Sequence, residues 1–388
     1  MPTAFLASYG RGKPVIGVLA EYDVLPGVGN GKTPNRSDRD DGVKSGQGCG
    51  HNFFGEASVG GAMAIKEAIR TSGLPGTVRL YGTPAEETVV GKVYMAKAGL
   101  FDGLDAVVEW HPGTKTGVRN QPGRAMNNFT VEFFGQAAHA SADPWNGRSA
   151  LDAVEMMDYG VNLMREHIKP TARIHYVITD GGDAPNVVPE YAKVWYYVRD
   201  TNRKNVDKYY DWILKIAEGA ALVLRTERKV FLITGVHEYN LNRPLMEAVQ
   251  RNIEEVGPPI FSSDEQEFAR RLQHNLKVDE DGYDTAIKPL ADVPEPVSGG
   301  STDVAEVSYI APTVGFRVTT AACHGTETGV KGAVVAVKVI ALTGVDLLTD
   351  ADLRDRAQAA FEVSTGGRPY TSPIPKDQAP QLPESSRR

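Results

Sequence analysis

Residues 15–20, Val-Ile-Gly-Val-Leu-Ala, form a short apolar run that stops at Glu21-Tyr22-Asp23, the pattern of a strand buried on both faces of a parallel sheet. The segment from Pro26 to Gly48 is rich in Gly, Asn, Asp and Ser and reads as loop. From Gly55 to about Thr71, Ala57, Ala62, Ile65 and Ile69 recur at helical spacing against Lys66, Glu67 and Arg70. A second strand, Thr77 to Gly82, runs into Thr83-Pro84-Ala85-Glu86-Glu87. A helix from about Val89 to Ala98 follows, and a third strand, Ala106 to Trp110, ends in His111-Pro112. Alternation of strand and helix implies a mostly parallel sheet with helices on its faces. In such α/β sheets ligands collect beyond the carboxyl ends of the strands, and Asp23, Glu86, Glu87 and His111 stand there.

After Gly123 the pattern changes. A strand (Phe129 to Phe134), a helix (about Arg148 to Glu166), two strands (Ile174 to Thr179 and Tyr191 to Arg199), a helix (about Asn205 to Leu224) and a strand (Val230 to Thr234) follow in turn. This βαββαβ order is the ferredoxin-like arrangement of helices on an antiparallel sheet. Residues 124–240 therefore read as a second domain inserted into a discontinuous first one, 1–123 and 241–368. The first resumes with a helix after Pro244. Residues 257–300 are irregular around a helix from Asp264 to Leu276. A strand near Pro312 to Phe316 precedes Cys323-His324-Gly325-Thr326, and helices are expected over about 332–342 and 350–362. The Pro-rich stretch 369–388 reads as a disordered tail.

The 388 residues are 41% hydrophobic and 23% charged, an ordinary globular balance, and the formal charge of -7 argues against nucleic acid or an anionic membrane as partner. The sequence has neither a signal-peptide pattern nor a long uninterrupted apolar run, so a cytoplasmic protein is expected. Two cysteines, Cys49 and Cys323, make a disulfide framework unlikely, and each lies within two residues of a histidine.

Cys49-Gly50-His51 places a thiol and an imidazole two residues apart in glycine-rich surroundings, where both can face one point. Cys49, His51, Glu86, Glu87, His111 and His324 are candidates for one crevice. Neighbouring Glu86 and Glu87 must diverge, so one can bind a metal while the other handles a proton. Thiolate and imidazole favour zinc, and a carboxylate leaves manganese open. Gly31-Lys32-Thr33 looks like the end of a phosphate-binding loop, but Pro26 stands where that pattern needs glycine and Pro34 where it needs a helix. His167, His175, His237 and His274 have no partner motif.

From Pro14 to about Leu342 the chain resembles metallopeptidase family M20, in its amidohydrolase branch of aminobenzoyl-glutamate hydrolase and N-acyl amino acid type. The resemblance is carried by Ala20-Glu21-Tyr22-Asp23-Val24-Leu25-Pro26-Gly27, Gly48-Cys49-Gly50-His51-Asn52, Pro84-Ala85-Glu86-Glu87, Trp110-His111-Pro112, Gly135-Gln136-Ala137-Ala138-His139-Ala140 and Gly300-Ser301-Thr302-Asp303-Val304. It implies a zinc-peptidase-like catalytic domain with an inserted ferredoxin-like α+β lid and dimerisation domain. It also implies two divalent metal ions, Mn²⁺ or Zn²⁺, held by Cys49, His51, Glu87, His111 and His324. Glu86 would be the general base, with Asp23 orienting a ligand and Asp303 either doing the same or capping a helix. His139 would donate to the transition state, and Asn186 and Arg199 would bind the substrate carboxylate. Read without the resemblance, Asn186 is equally a turn former before Pro189 and Arg199 equally a structural ion-pair partner.

The activity so implied is hydrolysis of the amide joining an acyl or aroyl group to an amino acid. The alternatives are a dipeptidase on the same scaffold and a catalytically silent binding subunit. The assembly implied is a homodimer through the lid domain, with a hetero-oligomer as the other possibility. Members of the family usually carry a longer segment before the strand at Val15 than this chain does.

Overall fold

The computed structural model describes residues 2–297, 299–320 and 326–380. The chain begins with β1 (Phe5–Arg11), β2 (Val15–Glu21), α1 (His51–Ser72), β3 (Gly76–Thr83), α2 (Gly91–Lys97), β4 (Ala106–Gly113) and the short β5 (Gly117–Val118). β2 is buried along its whole length, as its unbroken apolar run requires. β1 departs from expectation. All seven of its residues are exposed, Phe5 and Leu6 among them, so it carries no alternation by which a pattern could reveal it. It pairs antiparallel against β3 at the sheet's edge, with the Phe5 ring stacked on Tyr22 and Lys66 of α1 over the Tyr9 ring.

Next come β6 (Ala125–Phe134), α3 (Ala150–Met164), β7 (Arg173–Asp180), β8 (Tyr191–Asp200), α4 (Arg203–Leu224) and β9 (Glu227–Val236). These strands form an antiparallel sheet in the order β7-β8-β6-β9. β8 alternates buried and half-buried along its length, and its inward Ala192, Val194, Tyr196 and Val198 meet the apolar faces of α3 and α4. The side chains of Ser149 and Asn202 cap α3 and α4 by accepting from the amides of Asp152 and Asn205. Edge strand β7 is exposed over seven of its eight residues, including Tyr176, Val177 and Ile178.

The chain returns through α5 (Arg243–Val256), α6 (Ser263–Leu276), α7 (Val304–Ser308), β10 (Thr313–Thr319), α8 (Glu327–Thr349) and α9 (Ala351–Thr365). The first sheet has the order β1-β3-β2-β4-β10-β5, with β3, β2, β4 and β10 mutually parallel. Helices α1, α5, α8 and α9 supply its core through residues such as Phe54, Ile65, Val249, Ile340 and Leu353. α8 is long and apolar enough to cross a membrane by length and composition, a length that the apolar pattern over 332–342 understates, yet its most apolar window is 56% buried within the fold. That is the burial of a core helix.

By contacts the chain divides into two compact units. The first comprises residues up to 122, 240–296 and 306–371; the second comprises 123–239, 297–305 and the segment from 372. The expected disordered tail is not what residues 372–380 form. Ile374 is buried, and Gln378 Nε2 donates to Leu232 O of the second sheet at 2.6 Å. Residues 381–388 lie outside the described residues.

Within the second unit, Asp158 on α3 is buried and accepts a hydrogen bond from Tyr196 Oη on β8. Burial raises the carboxyl pKa to about 6 against the opposing effect of that bond. A raised carboxyl pKa means the folded state holds this proton more tightly than the unfolded chain, so stability falls as pH rises from about 4 through 6. Asp158→Asn should flatten that part of the stability profile, by at most about 3 kcal/mol. Urea unfolding across that pH range checks it, and an unchanged slope would contradict the assignment.

Candidate metal centre

The centre lies within the first unit, at the carboxyl ends of β2, β3 and β4 and the start of α1. Gly50 takes the left-handed conformation immediately before α1 (φ 84°), which turns the chain between Cys49 and His51 so that both reach the strand ends. Cys49 Sγ lies 3.5 Å from His111 Nε2, and the rings of His51 and His111 meet edge to face with centroids 5.6 Å apart. Ligand atoms of Cys49, His51 and His111 all lie within 4.8 Å of one another. Those of Glu21, His51 and Glu86 form a second group of the same kind.

The surroundings settle which ring nitrogens face the cluster. His111 Nδ1 is 2.7 Å from Pro112 O and must donate to it, leaving Nε2 with its lone pair toward Cys49. Burial lowers the His111 pKa to about 3, so the ring is neutral. His51 Nδ1 contacts Asp23 Oδ1 at 2.9 Å, and Asp23 Oδ2 accepts from the Glu87 amide at 2.9 Å. Asp23 thus ties the Cys-Gly-His turn to the Glu86-Glu87 turn. His51 Nε2 is buried and makes no hydrogen bond, although Glu21 Oε2 is 3.2 Å away. Burial opposes a charge on His51, but the hydrogen bond to Asp23, the nearby Cys49 thiol and the charge of Glu21 outweigh it and raise its pKa to about 11. The carboxylates around this ring therefore call for positive charge. A buried ring nitrogen without a hydrogen bond, aimed among a thiol, an imidazole and carboxylates, fits a divalent cation.

Glu86 and Glu87 diverge as neighbours must. Glu86 Oε2 approaches His51 Nε2 at 3.8 Å and Glu87 Oε1 approaches Nδ1 at 3.8 Å, on opposite edges of the ring. The turn carrying them holds Ala85 and Val89 at positive φ (60° and 57°), strain of about 1–3 kcal/mol each, which the hydrogen bond from Val90 N to Ala85 O helps to hold. Burial and the nearby charge of Asp23 raise the Glu87 pKa. Asp23 itself is lowered, because its hydrogen bonds to His51 and the Glu87 amide outweigh its burial.

Two residues to which the sequence assigns no role belong to this centre. Glu21, at the last position of β2, is buried, and its Oε1 accepts from Lys92 Nζ of α2 at 2.6 Å. Lys92 is completely buried among the apolar residues of Gly91–Lys97. A lysine at an inward position of a short apolar helix was the available signal.

The remaining expected residues lie in the second unit or outside the described residues. His324, with its neighbour Cys323, lies outside the described residues. His139, Asn186, Arg199 and Asp303 belong to the second unit. There His139 Nδ1 accepts from the amides of Ser141 and Ala142 at 3.2 and 3.1 Å, so Nε2 of this exposed ring carries the hydrogen. His139 is bridged to Val187, and Asn186 O accepts from Ala140 N at 2.9 Å, placing the two loops side by side. The Arg199 guanidinium lies over the Tyr197 ring, and its buried Nε has no hydrogen-bond partner. Asp303 is fully buried.

The sequence matches the family model described as Peptidase family M20/M25/M40 over residues 17–372. It is 36% identical to one of the subunits of p-aminobenzoyl-glutamate hydrolase from Escherichia coli (strain K12), over 98% of this chain and 87% of that protein. It is 29% identical to the Xaa-Arg dipeptidase of Mus musculus, over 93% of this chain and 78% of that protein. Among solved structures, an aminobenzoyl-glutamate utilization protein from Klebsiella pneumoniae superposes with a TM-score of 0.59 at 19% identity, covering 87% of this chain and 73% of that one. A dinuclear metal-binding peptidase of family M20 from Bacillus subtilis gives 0.56 at 20% identity, covering 89% and 85%.

Proposed function

Because the chain belongs to peptidase family M20/M25/M40, we propose that it is a metal-dependent amidohydrolase that cleaves the amide bond of an N-acyl or N-aroyl amino acid, with p-aminobenzoyl-glutamate-like compounds first among its substrates. The observation that carries this reading is the convergence of Cys49, His51 and His111 on one point, with His51 Nε2 buried and without a hydrogen bond. Cys49, His51, Glu87, His111 and His324 are the residues proposed to hold two divalent ions, Mn²⁺ or Zn²⁺. When bound, such ions polarise the scissile carbonyl and lower the pKa of water.

The chain's own groups then divide the work. Glu86 accepts the proton of the attacking water and returns it to the leaving amine. Asp23 fixes the ring of His51 through Nδ1 and Asp303 is proposed to support the same site. His139 Nε2, left as a donor by the bonds at Nδ1, steadies the oxyanion. Asn186 and Arg199 grip the substrate carboxylate, a role suited to a guanidinium whose Nε is still without a partner.

For the assembly, the exposed edge of β7 with Tyr176, Val177 and Ile178 supports a homodimer formed through the inserted domain. The similarity to a protein named as one subunit of a hydrolase supports a hetero-oligomer as the second reading. The proposed compartment is the cytoplasm, where the free thiol of Cys49 stays reduced.

The test is release of free amino acid from a panel of N-acyl and N-aroyl amino acids and dipeptides, with Mn²⁺ or Zn²⁺ added. Hydrolysis of the acylated compounds, abolished by a chelator, is the expected result. Turnover of dipeptides alone would favour the dipeptidase suggested by the similarity to the Xaa-Arg enzyme. Failure to retain metal, with no turnover of any compound, would favour a silent binding subunit.

A further inference from the structure

A cleft of about 550 Å³ opens within the first unit, directly beside Cys49 and His111. Among the described residues its lining holds Lys32, Arg39 and Arg317 and no aspartate or glutamate. This polarity is the reverse of the metal centre next to it, where Glu21, Asp23, Glu86 and Glu87 surround His51. Of the three cations, Arg39 is committed to Asp41, its Nε 2.9 Å from Oδ1. Arg317 is free: among the described residues no carboxylate lies within ion-pair distance of it, and the nearby Glu109 is paired with Arg119 at 3.2 Å. Lys32, on the exposed loop, likewise has no ion-pair partner among the described residues.

The position of Arg317 is set by the sheet. In the parallel register of β10 on β4 it stands opposite His111, so the two side chains leave the same face of neighbouring strands. Gly113 leaves room for it, since a Cβ there would come within 3.2 Å of Arg317 Cβ and Cδ. An unpaired guanidinium beside a candidate ligand, in a cleft lined by no carboxylate among the described residues, is suited to a substrate carboxylate.

We propose that this cleft takes a second carboxylate of the substrate, held by Arg317 with Lys32 adding to the field, so that the enzyme selects N-acyl amino acids carrying two negative charges. The inference rests on the amidohydrolase reading and narrows it. The second carboxylate has two chemical sources, the side chain of the amino acid or the acyl half.

Two matched pairs separate these sources: N-benzoyl-glutamate against N-benzoyl-glutamine, and N-succinyl-alanine against its succinamoyl counterpart. The metal-loaded protein should prefer the charged member of one pair by about 10–100-fold in kcat/KM. Arg317→Met should bring that ratio close to one, with the loss in KM. No preference in either pair, or a preference that survives Arg317→Met, overturns the proposal. Calorimetric titration with glutarate and with its monoamide gives a second readout that needs no turnover. Tighter binding of glutarate, lost in Arg317→Met, supports the proposal even if none of the amides is hydrolysed, an outcome that would sink the amidohydrolase reading alone. Equal binding of the two by the unaltered protein overturns it.

Discussion

Replacing Glu86 by glutamine is expected to lower kcat by about 10²–10⁴ while the protein keeps its full complement of metal. The change keeps the shape of the side chain and removes only its capacity to hold a proton. It also separates two roles that the geometry places close together. Glu86 Oε2 shares a candidate ligand group with Glu21 and His51, whereas Glu87 falls in neither of the two groups found around His51. If Glu86 is the base, metal analysis of Glu86→Gln matches the parent and only turnover disappears. Loss of an ion together with turnover would make Glu86 a ligand instead, and the two glutamates would exchange roles. Retention of full activity would remove Glu86 from the reaction altogether.

A second large effect is expected away from the reacting groups, at Lys92. Its ammonium is completely buried against Glu21, and Glu21 is in turn 3.2 Å from His51 Nε2. Lys92→Met leaves the Glu21 carboxylate buried beside the ring of His51, a proposed metal ligand. Breaking one partner of a buried pair costs about 3–5 kcal/mol. The urea midpoint of the metal-free protein should fall accordingly. Glu21→Gln added to Lys92→Met should recover part of the loss, because the carboxylate left facing only His51 is then gone. A single variant as stable as the parent would show that the pair contributes nothing.

The strand ends made much of this centre legible in the sequence. Asp23, Glu86, Glu87 and His111 stand out because a buried strand shows as an apolar run and the first polar residues after it mark where ligands gather. His51 and Cys49 were legible for a different reason, since the glycines around them advertise a turn. Glu21 escaped because it still belongs to its strand, where a carboxylate gives no sign of pointing inward. Lys92 escaped because its partner is remote in sequence, and an inward lysine on a short apolar helix does not say which carboxylate it meets. β1 was invisible on the same grounds: an exposed edge strand is specified by the neighbour whose backbone it pairs with. Residues 372–380 were misjudged from proline content, which reports the lack of helix or strand but says nothing of packing such as that of Ile374. Arg317 had no motif around it, and only its register opposite His111 reveals its position.

The discontinuity of the first unit has a consequence for how the protein is made. All four strands of the second sheet lie in one uninterrupted stretch that is complete at Val236, so this sheet can pair before the rest of the chain has left the ribosome. The first sheet has to wait, because β10, the strand that flanks β4 and His111, is translated only after all four strands of the second sheet. Until Thr319 has emerged, Cys49 and His51 belong to a half-built sheet, and their ordering depends on contacts far apart in sequence, which form slowly. Any ion held by Cys49, His51 and His111 would therefore be captured late, once β10 has joined β4.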